Sequence, residues 1–405
     1  MACCFGSRRQ ITNNNTLGWE ETPTLFLQFR RDTINFLTKM SPEQIKLCFD
    51  EKQITAKADA ALSIAPPHIT DAVAERSQGG PNDFFSESDY WWPNPDTADG
   101  LPYVRRDGET NPGNFVKHRE SMRTMRTSVA HLAAAYCATG NEVYAKKAVT
   151  FLKEFFLDEK TKMNPHMLYA QAVAGLHHGR AVGVIDTLHL VDVPVAIERI
   201  KPVMPGEVYS GLRKWFADYL LWMSTHEQGV QEMNARNNHG VCWNVQAAMF
   251  AKFTENNEML EFSKKRFTDI YFPNQMAADG TFPQEIARTK PYSYSCFVVD
   301  NMINIVNILS TKESNLWEFK LDDGRCIKQA VDFIVPYMED ISKWPYPKDV
   351  QFFEDFPAAM PFLLFAGVAF GREDYLKLWA ELAKKSQSEE ARRNIAIRQP
   401  YIWLI

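Results

Sequence analysis

The sequence predicts an all-α fold, an (α/α) toroid built as an incomplete barrel of about six to seven helical hairpins, with a long cleft loop in its N-terminal half. Three observations carry this expectation. Apolar residues recur at steps of three and four along most of the chain, stretches alternating with period two are scarce, and no linker rich in Pro, Gly or Ser divides the sequence. No strict sequence period recurs, which argues against a regular solenoid. The 405 residues therefore read as one domain, 1–405, with residues 1–20 as a flexible tail.

The elements follow in chain order. An apolar stripe over 25–37 opens the helical pattern, and further stripes cover 129–137 and 144–156. The clearest lies over 209–223, where Leu212, Trp215, Phe216, Tyr219, Leu220 and Met223 mark one face. Others occupy 241–253, 297–309, 327–337, 360–370 and 375–382. Gly140, Pro205-Gly206, Asp279-Gly280 and Gly371 punctuate them at intervals suited to hairpins. One segment stands apart. Residues 83–114 read DFFSESDYWWPNPDTADGLPYVRRDGETNPGN, and Pro93, Pro95, Pro102 and Pro112 forbid a continuous helix. A loop this long inside a domain is uncommon and usually functional. Tyr90, Trp91, Trp92 and Tyr103 offer flat faces for sugar rings, and Arg105 and Arg106 suit carboxylates.

Composition narrows the function classes. A net charge of −5 argues against nucleic acid, because no excess of Lys and Arg is available to neutralise phosphates. An acidic sugar stays admissible, since a local basic cleft can sit on an acidic protein. No apolar run is long enough to span a membrane. Cys3, Cys4, Cys48, Cys137, Cys242, Cys296 and Cys326 form no CxxC pair and read mostly as buried free thiols. The first residues lack the apolar stretch of a signal peptide, so the location stays open. It is cytoplasmic, or periplasmic, lipoprotein-anchored or secreted if a signal has been removed ahead of the N-terminal cysteines. No cofactor is implied. His166, His177 and His178 are not expected to hold a metal, because adjacent histidines on a helix point apart.

Two blocks carry chemistry. The first, 234–246, reads NARNNHGVCWNVQ and crowds Arg236, Asn237, Asn238 and His239 before an apolar helix. Asn237 or Asn238 suits a helix cap, and the exposed amides of a helix N-terminus also favour a carboxylate. The second, 283–295, reads PQEIARTKPYSYS and sets Arg288 near Tyr292 and Tyr294. An adjacent Arg stabilises a phenolate, which lowers the tyrosine pKa and makes the pair a usable acid/base device.

Together these blocks resemble the alginate lyase family of α/α-toroid polysaccharide lyases. The resemblance rests on Asn237-Asn238-His239-Gly240 with Trp243 downstream, then Glu285-x-x-Arg288 and a tyrosine some fifty residues later. It is extended by DYWWPNP and GLPYVRRDGETNP in the loop, by Asn114-Phe115 with Lys117-His118-Arg119, and by Asn164-Pro165-His166 through Tyr169-Ala170-Gln171. It implies an alginate or glucuronan lyase that acts on an anionic, 4-O-linked uronic-acid polysaccharide by β-elimination, with neither metal nor cofactor. Asn238, helped by His239 and Arg288, would neutralise the sugar carboxylate. Tyr294 would serve as base and acid for mannuronate, or as acid beside His239 as base for guluronate, with Arg288 depressing its pKa. The Arg-to-Tyr spacing departs slightly from that of better-known members, so Tyr292 competes with Tyr294; the nearer spacing favours Tyr294. Tyr169, Gln171, Trp243, Trp91, Arg105, His118, Asn237 and Tyr292 are the expected substrate-binding residues. Two other readings stay open: a glycoside hydrolase drawing a carboxyl pair from Asp89, Asp186 and Glu285, and a non-catalytic saccharide-binding protein.

Overall fold

In the computed structural model, which describes residues 34–405 apart from 386 and 387, helices joined by tight, capped turns make up most of the chain. The described residues belong to one compact unit, and the tail expected over 1–20 lies outside them. After α1 (Pro42–Cys48) and α2 (Glu51–Leu62), the first long hairpin joins α3 (Lys117–Thr139) to α4 (Glu142–Phe156). Gly140 ends α3 in the left-handed region at φ 71°, and the Asn141 side chain accepts from Val143 N–H to start α4. The pattern then repeats through α5 (Asp192–Ile200), α6 (Gly206–Thr225), α7 (Glu227–Met233), α8 (Asn238–Thr254) and α9 (Asn257–Arg266). The C-terminal half adds α10 (Pro291–Leu309), α11 (Ile327–Glu339), α12 (Phe362–Ala369) and α13 (Glu373–Lys384). Neighbouring pairs pack side by side as an (α/α) toroid.

The expected stripes fall inside α3, α4, α6, α8, α10, α11 and α13, and the one over 360–370 overlaps α12 and extends past both its ends. The first does not. Most of 25–37 lies outside the described residues, and its described end, 34–37, is not helical.

Helices α8 and α10 lie against each other at the centre of the unit and are buried almost throughout. Gly240 makes the start of α8 possible. A Cβ there would collide with the Ala235 carbonyl oxygen and come within 2.7 Å of the Tyr271 ring. The glycine of the Asn-Asn-His-Gly segment thus serves packing.

The loop over 83–114 is ordered by pairing rather than by helix. Strand β1 (Phe85–Glu87) runs parallel to β4 (Tyr169–Ala172), and β2 (Trp91–Trp92) runs antiparallel to β3 (Val104–Arg105). Asn114 donates to the Ser88 carbonyl and Asn111 to the Trp91 carbonyl, closing the loop on itself. Buried Arg119 of α3 bridges Asp89 in the loop and Asp186 beyond β4, so the loop is clamped over the inner helices.

Candidate active site

A cavity of about 430 Å³ opens between the loop, the N-termini of α8 and α10, and the segment over 351–395. The start of α8 forms one wall. The Asn237 side chain caps the helix by accepting from His239 N–H at 3.2 Å. Asn238 then turns toward Glu285, donating its backbone N–H at 2.8 Å and its side-chain amide at 2.6 Å to the two carboxylate oxygens. Glu285 is only 2% exposed, and burial raises its pKa despite the Asn238 bonds and nearby Arg288 that favour the anion. His239 is held by Glu232 of α7, with Nδ1 at 2.6 Å from the carboxylate. Burial disfavours the imidazolium, but the Glu232 charge and hydrogen bond outweigh it, and the His239 pKa rises above its ordinary value. In the neutral ring, Nδ1–H donates to Glu232 and leaves Nε2 basic.

The facing wall is built on the start of α10. Arg288 forks onto Asp107 of the loop at 2.9 and 3.2 Å and donates to the Tyr294 hydroxyl at 3.1 Å. Its guanidinium also lies 4.4 Å from the Tyr294 ring centre. Burial alone would raise the Asp107 pKa; bonds from Arg288, Thr289 and Arg105 prevail and bring it to about 2. The Tyr294 hydroxyl meets the Tyr90 hydroxyl at 3.0 Å. Here the expected electrostatics are corrected. Burial first, and Tyr90 second, push the Tyr294 pKa well above its ordinary value, and Arg288 offsets only part of this. The phenol is therefore protonated in the resting site.

Of the residues singled out in the sequence, Asn237, Asn238, His239, Arg288 and Tyr294 line this cavity together with Trp91, Arg105 and Gln171. Gln171 sits in the left-handed region at φ 53°, a strained setting for a non-glycine residue, and its amide donates to Asp186 at 3.0 Å. Trp91 lies under Arg180, 5.7 Å from the ring centre.

Four expected binding residues are elsewhere. Trp243 is fully buried and donates to the Met223 carbonyl at 3.1 Å. His118 is buried between backbones, accepting from Phe85 N–H and donating to the Ala72 carbonyl, each at 3.0 Å. Tyr292 points away from the cavity, donating to the Tyr337 carbonyl at 3.3 Å with its ring edge-on to Trp344. Tyr169 lies beside Gly79, outside the lining. His177 and His178 sit on a turn rather than a helix. Among the described residues no group of three or more His, Cys, Asp or Glu side chains is arranged to hold a metal ion.

The carboxyl pairs weighed for hydrolysis are committed to other partners. Asp89 and Asp186 share the single Arg119 guanidinium, and Glu285 is bonded twice by Asn238. Sequence reasoning offered Tyr90 only as a flat face for a sugar ring and gave no role to Asp107 and Glu232. Their partners lie 204, 181 and 7 residues away, and only Glu232 and His239, on successive helices, are close in sequence.

The sequence pattern of the alginate lyase family matches residues 68–344, more than half of the chain. An alginate lyase from Bacteroides ovatus is similar in structure, with a TM-score of 0.78 and 31% identity over 87% of this chain and 92% of that one. Alginate lyase A1-III from Sphingomonas species A1 has a TM-score of 0.50 at 16% identity, over 86% of this chain and 100% of its own. An A1-III variant complexed with tetrasaccharide gives 0.52 at 16% identity, over 86% of this chain and 99% of its own. At that identity the likeness bears on fold alone. No curated protein sequence matches the chain. The extent of the family match and the likeness to the Bacteroides ovatus enzyme agree with the cavity's chemistry, and the chain belongs to the alginate lyase family and is a polysaccharide lyase.

Proposed function

We propose that the protein cleaves alginate, a 4-O-linked polymer of mannuronate and guluronate, by β-elimination, leaving an unsaturated uronate at the new non-reducing end. The observation that carries this reading is the convergence of two proton-handling groups, His239 and Tyr294, on one cavity that also holds Asn238 and Arg288. The name of the Bacteroides ovatus neighbour supports alginate as the substrate.

Elimination removes the C5 proton and expels the sugar oxygen from C4. The C5 proton becomes acidic enough only when the adjacent carboxylate is neutralised and the enolate-like intermediate is met by fixed donors. Asn238, whose side-chain amide has a second hydrogen beyond the one given to Glu285, supplies such a donor, and Arg288 adds charge. Raised-pKa Glu285 sits directly behind Asn238, so a carboxylate approaching there would favour its protonated form. Tyr294 holds its proton at rest and is suited to protonate the leaving oxygen. His239, oriented by Glu232, is the base for a guluronate residue. For a mannuronate residue, where proton and leaving group share a face, Tyr294 must first lose its proton and then act as both base and acid.

The test is direct. Digestion of polymannuronate, polyguluronate and glucuronan is followed by ultraviolet absorbance, which reports the new C4–C5 double bond conjugated to the carboxylate. Rising absorbance on the alginate blocks is the expected result. Rise on glucuronan alone reassigns the substrate, and shortened chains without absorbance overturn elimination.

A further inference from the structure

Beyond the reacting groups, the cavity has a second, more basic end. Lys290, just before α10, lines it while only 5% exposed. Its ammonium makes no ion pair or hydrogen bond with any described side chain; it lies 5.0 Å from the Phe352 ring centre and 5.7 Å from that of Tyr90. Buried cations are ordinarily paired, so an unpaired one facing a cavity is a receptor for an anion. Burial, and then Arg393, hold the Lys290 pKa below its ordinary value, a tension that an arriving carboxylate relieves.

The neighbours point the same way. Arg393 reaches Glu390 at 3.0 Å and Asp89 at 3.6 Å, but Asp89 is already taken by Arg119. Arg123 carries no carboxylate partner and donates to His189 at 3.1 Å. Arg119, Arg123, Lys290 and Arg393 gather around Asp89, Asp186 and Glu390, while Asp349, which also acts on Lys290, is held by the Tyr292 and Ser293 backbone amides. Phe352 stands beside Lys290 at the rim, 41% exposed, its backbone in the left-handed region at φ 66°. Such strain in an aromatic residue persists where the surrounding structure imposes it, and it presents an apolar face to a sugar ring. Phe352, Glu390 and Arg393 all lie beyond residue 344, where the family match ends.

We infer that Lys290, Arg393 and Phe352 form a second uronate subsite, which binds the carboxylate and ring face of the sugar adjoining the one cleaved. Tyr90 connects the two ends, since its ring adjoins Lys290 and its hydroxyl meets that of Tyr294. The inference rests on the uronate-lyase reading given above.

The experiment compares wild type, Lys290→Met, Lys290→Arg and Phe352→Ala on two defined trisaccharides. One carries all its carboxylates; the other has the carboxyl adjoining the cleaved sugar reduced to an alcohol. Lys290→Met is expected to raise KM on the intact trisaccharide roughly tenfold, the size of a lost charge-assisted contact, with kcat nearly unchanged. On the reduced trisaccharide wild type and Lys290→Met should share one KM. Lys290→Arg should restore most of the affinity. Phe352→Ala, at an exposed position that leaves folding intact, should raise KM severalfold on both substrates. Equal losses for Lys290→Met on both trisaccharides, or no loss on either, overturn the subsite; an unchanged KM in Phe352→Ala removes the stacking face. If wild type forms no unsaturated product from any uronate, the elimination reading fails by itself. The subsite is then decided by calorimetric titration with saturated trimannuronate, where equal affinities of wild type and Lys290→Met overturn it.

Discussion

The two walls of the cavity use burial in opposite senses. Burial favours the neutral form of any ionisable group, and the neutral form is protonated for tyrosine but deprotonated for histidine. At Tyr294 burial and the Tyr90 contact dominate, and even Arg288 cannot bring the phenol to its ordinary pKa. At His239 burial pulls toward the bare base, yet Glu232 at 2.6 Å reverses it. Both pKa values rise, one because the site is dry and the other because it is charged. One wall therefore stores a proton and the other sets the pH at which it can accept one, and each should respond to a different substitution.

Removing the stored proton should have the largest effect. Tyr294→Phe is expected to lower kcat by roughly a hundred- to ten-thousandfold while oligosaccharide binding by calorimetry is retained. Full activity would transfer the acid role away from this wall. Asn238→Ala should lower kcat/KM by roughly a hundred- to a thousandfold, as loss of a donor to a developing anion does, and it also removes the side-chain bond to buried Glu285 while the backbone one stays. Circular dichroism of the variant separates lost catalysis from lost folding. Glu232→Gln sharpens the comparison through pH. As a base His239 must be neutral, so activity on guluronate blocks falls as pH drops through its raised pKa. Without the Glu232 charge, burial and Arg288 prevail, and the acid limb of the pH–kcat/KM profile should move to lower pH, with kcat reduced about tenfold by lost orientation. An unmoved limb would remove His239 as the titrating base. The smallest effect is expected at Tyr292. Tyr292→Phe should leave kcat and KM unchanged and lower unfolding stability by about 1 kcal/mol, one modest hydrogen bond.

The helical plan was legible because most helices are half-exposed and write their buried face into the sequence. Within the site, what could be read were local signals: Asn237 as a cap, Gly240 before an apolar run, and Arg288 six residues from Tyr294. The errors share a cause. Helix α8 is buried on nearly all sides, so no polar face distinguishes cleft from core, and Trp243 looked available while it fills the interior. Tyr292 and Tyr294 are two residues apart on α10, so they point to nearly opposite sides, and neither side is marked by polarity. Asp107, Tyr90 and Arg393 acquire meaning only through contacts across the chain, which no spacing rule conveys.

The contact between Asp107 and Arg288 has a thermodynamic consequence. The loop that carries Asp107 and Tyr90 and the helix that carries Tyr294 are separate in sequence, yet one guanidinium and one pair of hydroxyls fasten them together. Any free energy a ligand gains by gripping Tyr294 in this arrangement is, by reciprocity, free energy added to the docking of the loop. Loop amides over 103–109 should then exchange hydrogen more slowly when saccharide is bound. A break at Asp107 leaves only the hydroxyl pair, and should weaken the coupling, slackening the loop and loosening the position of the phenol together.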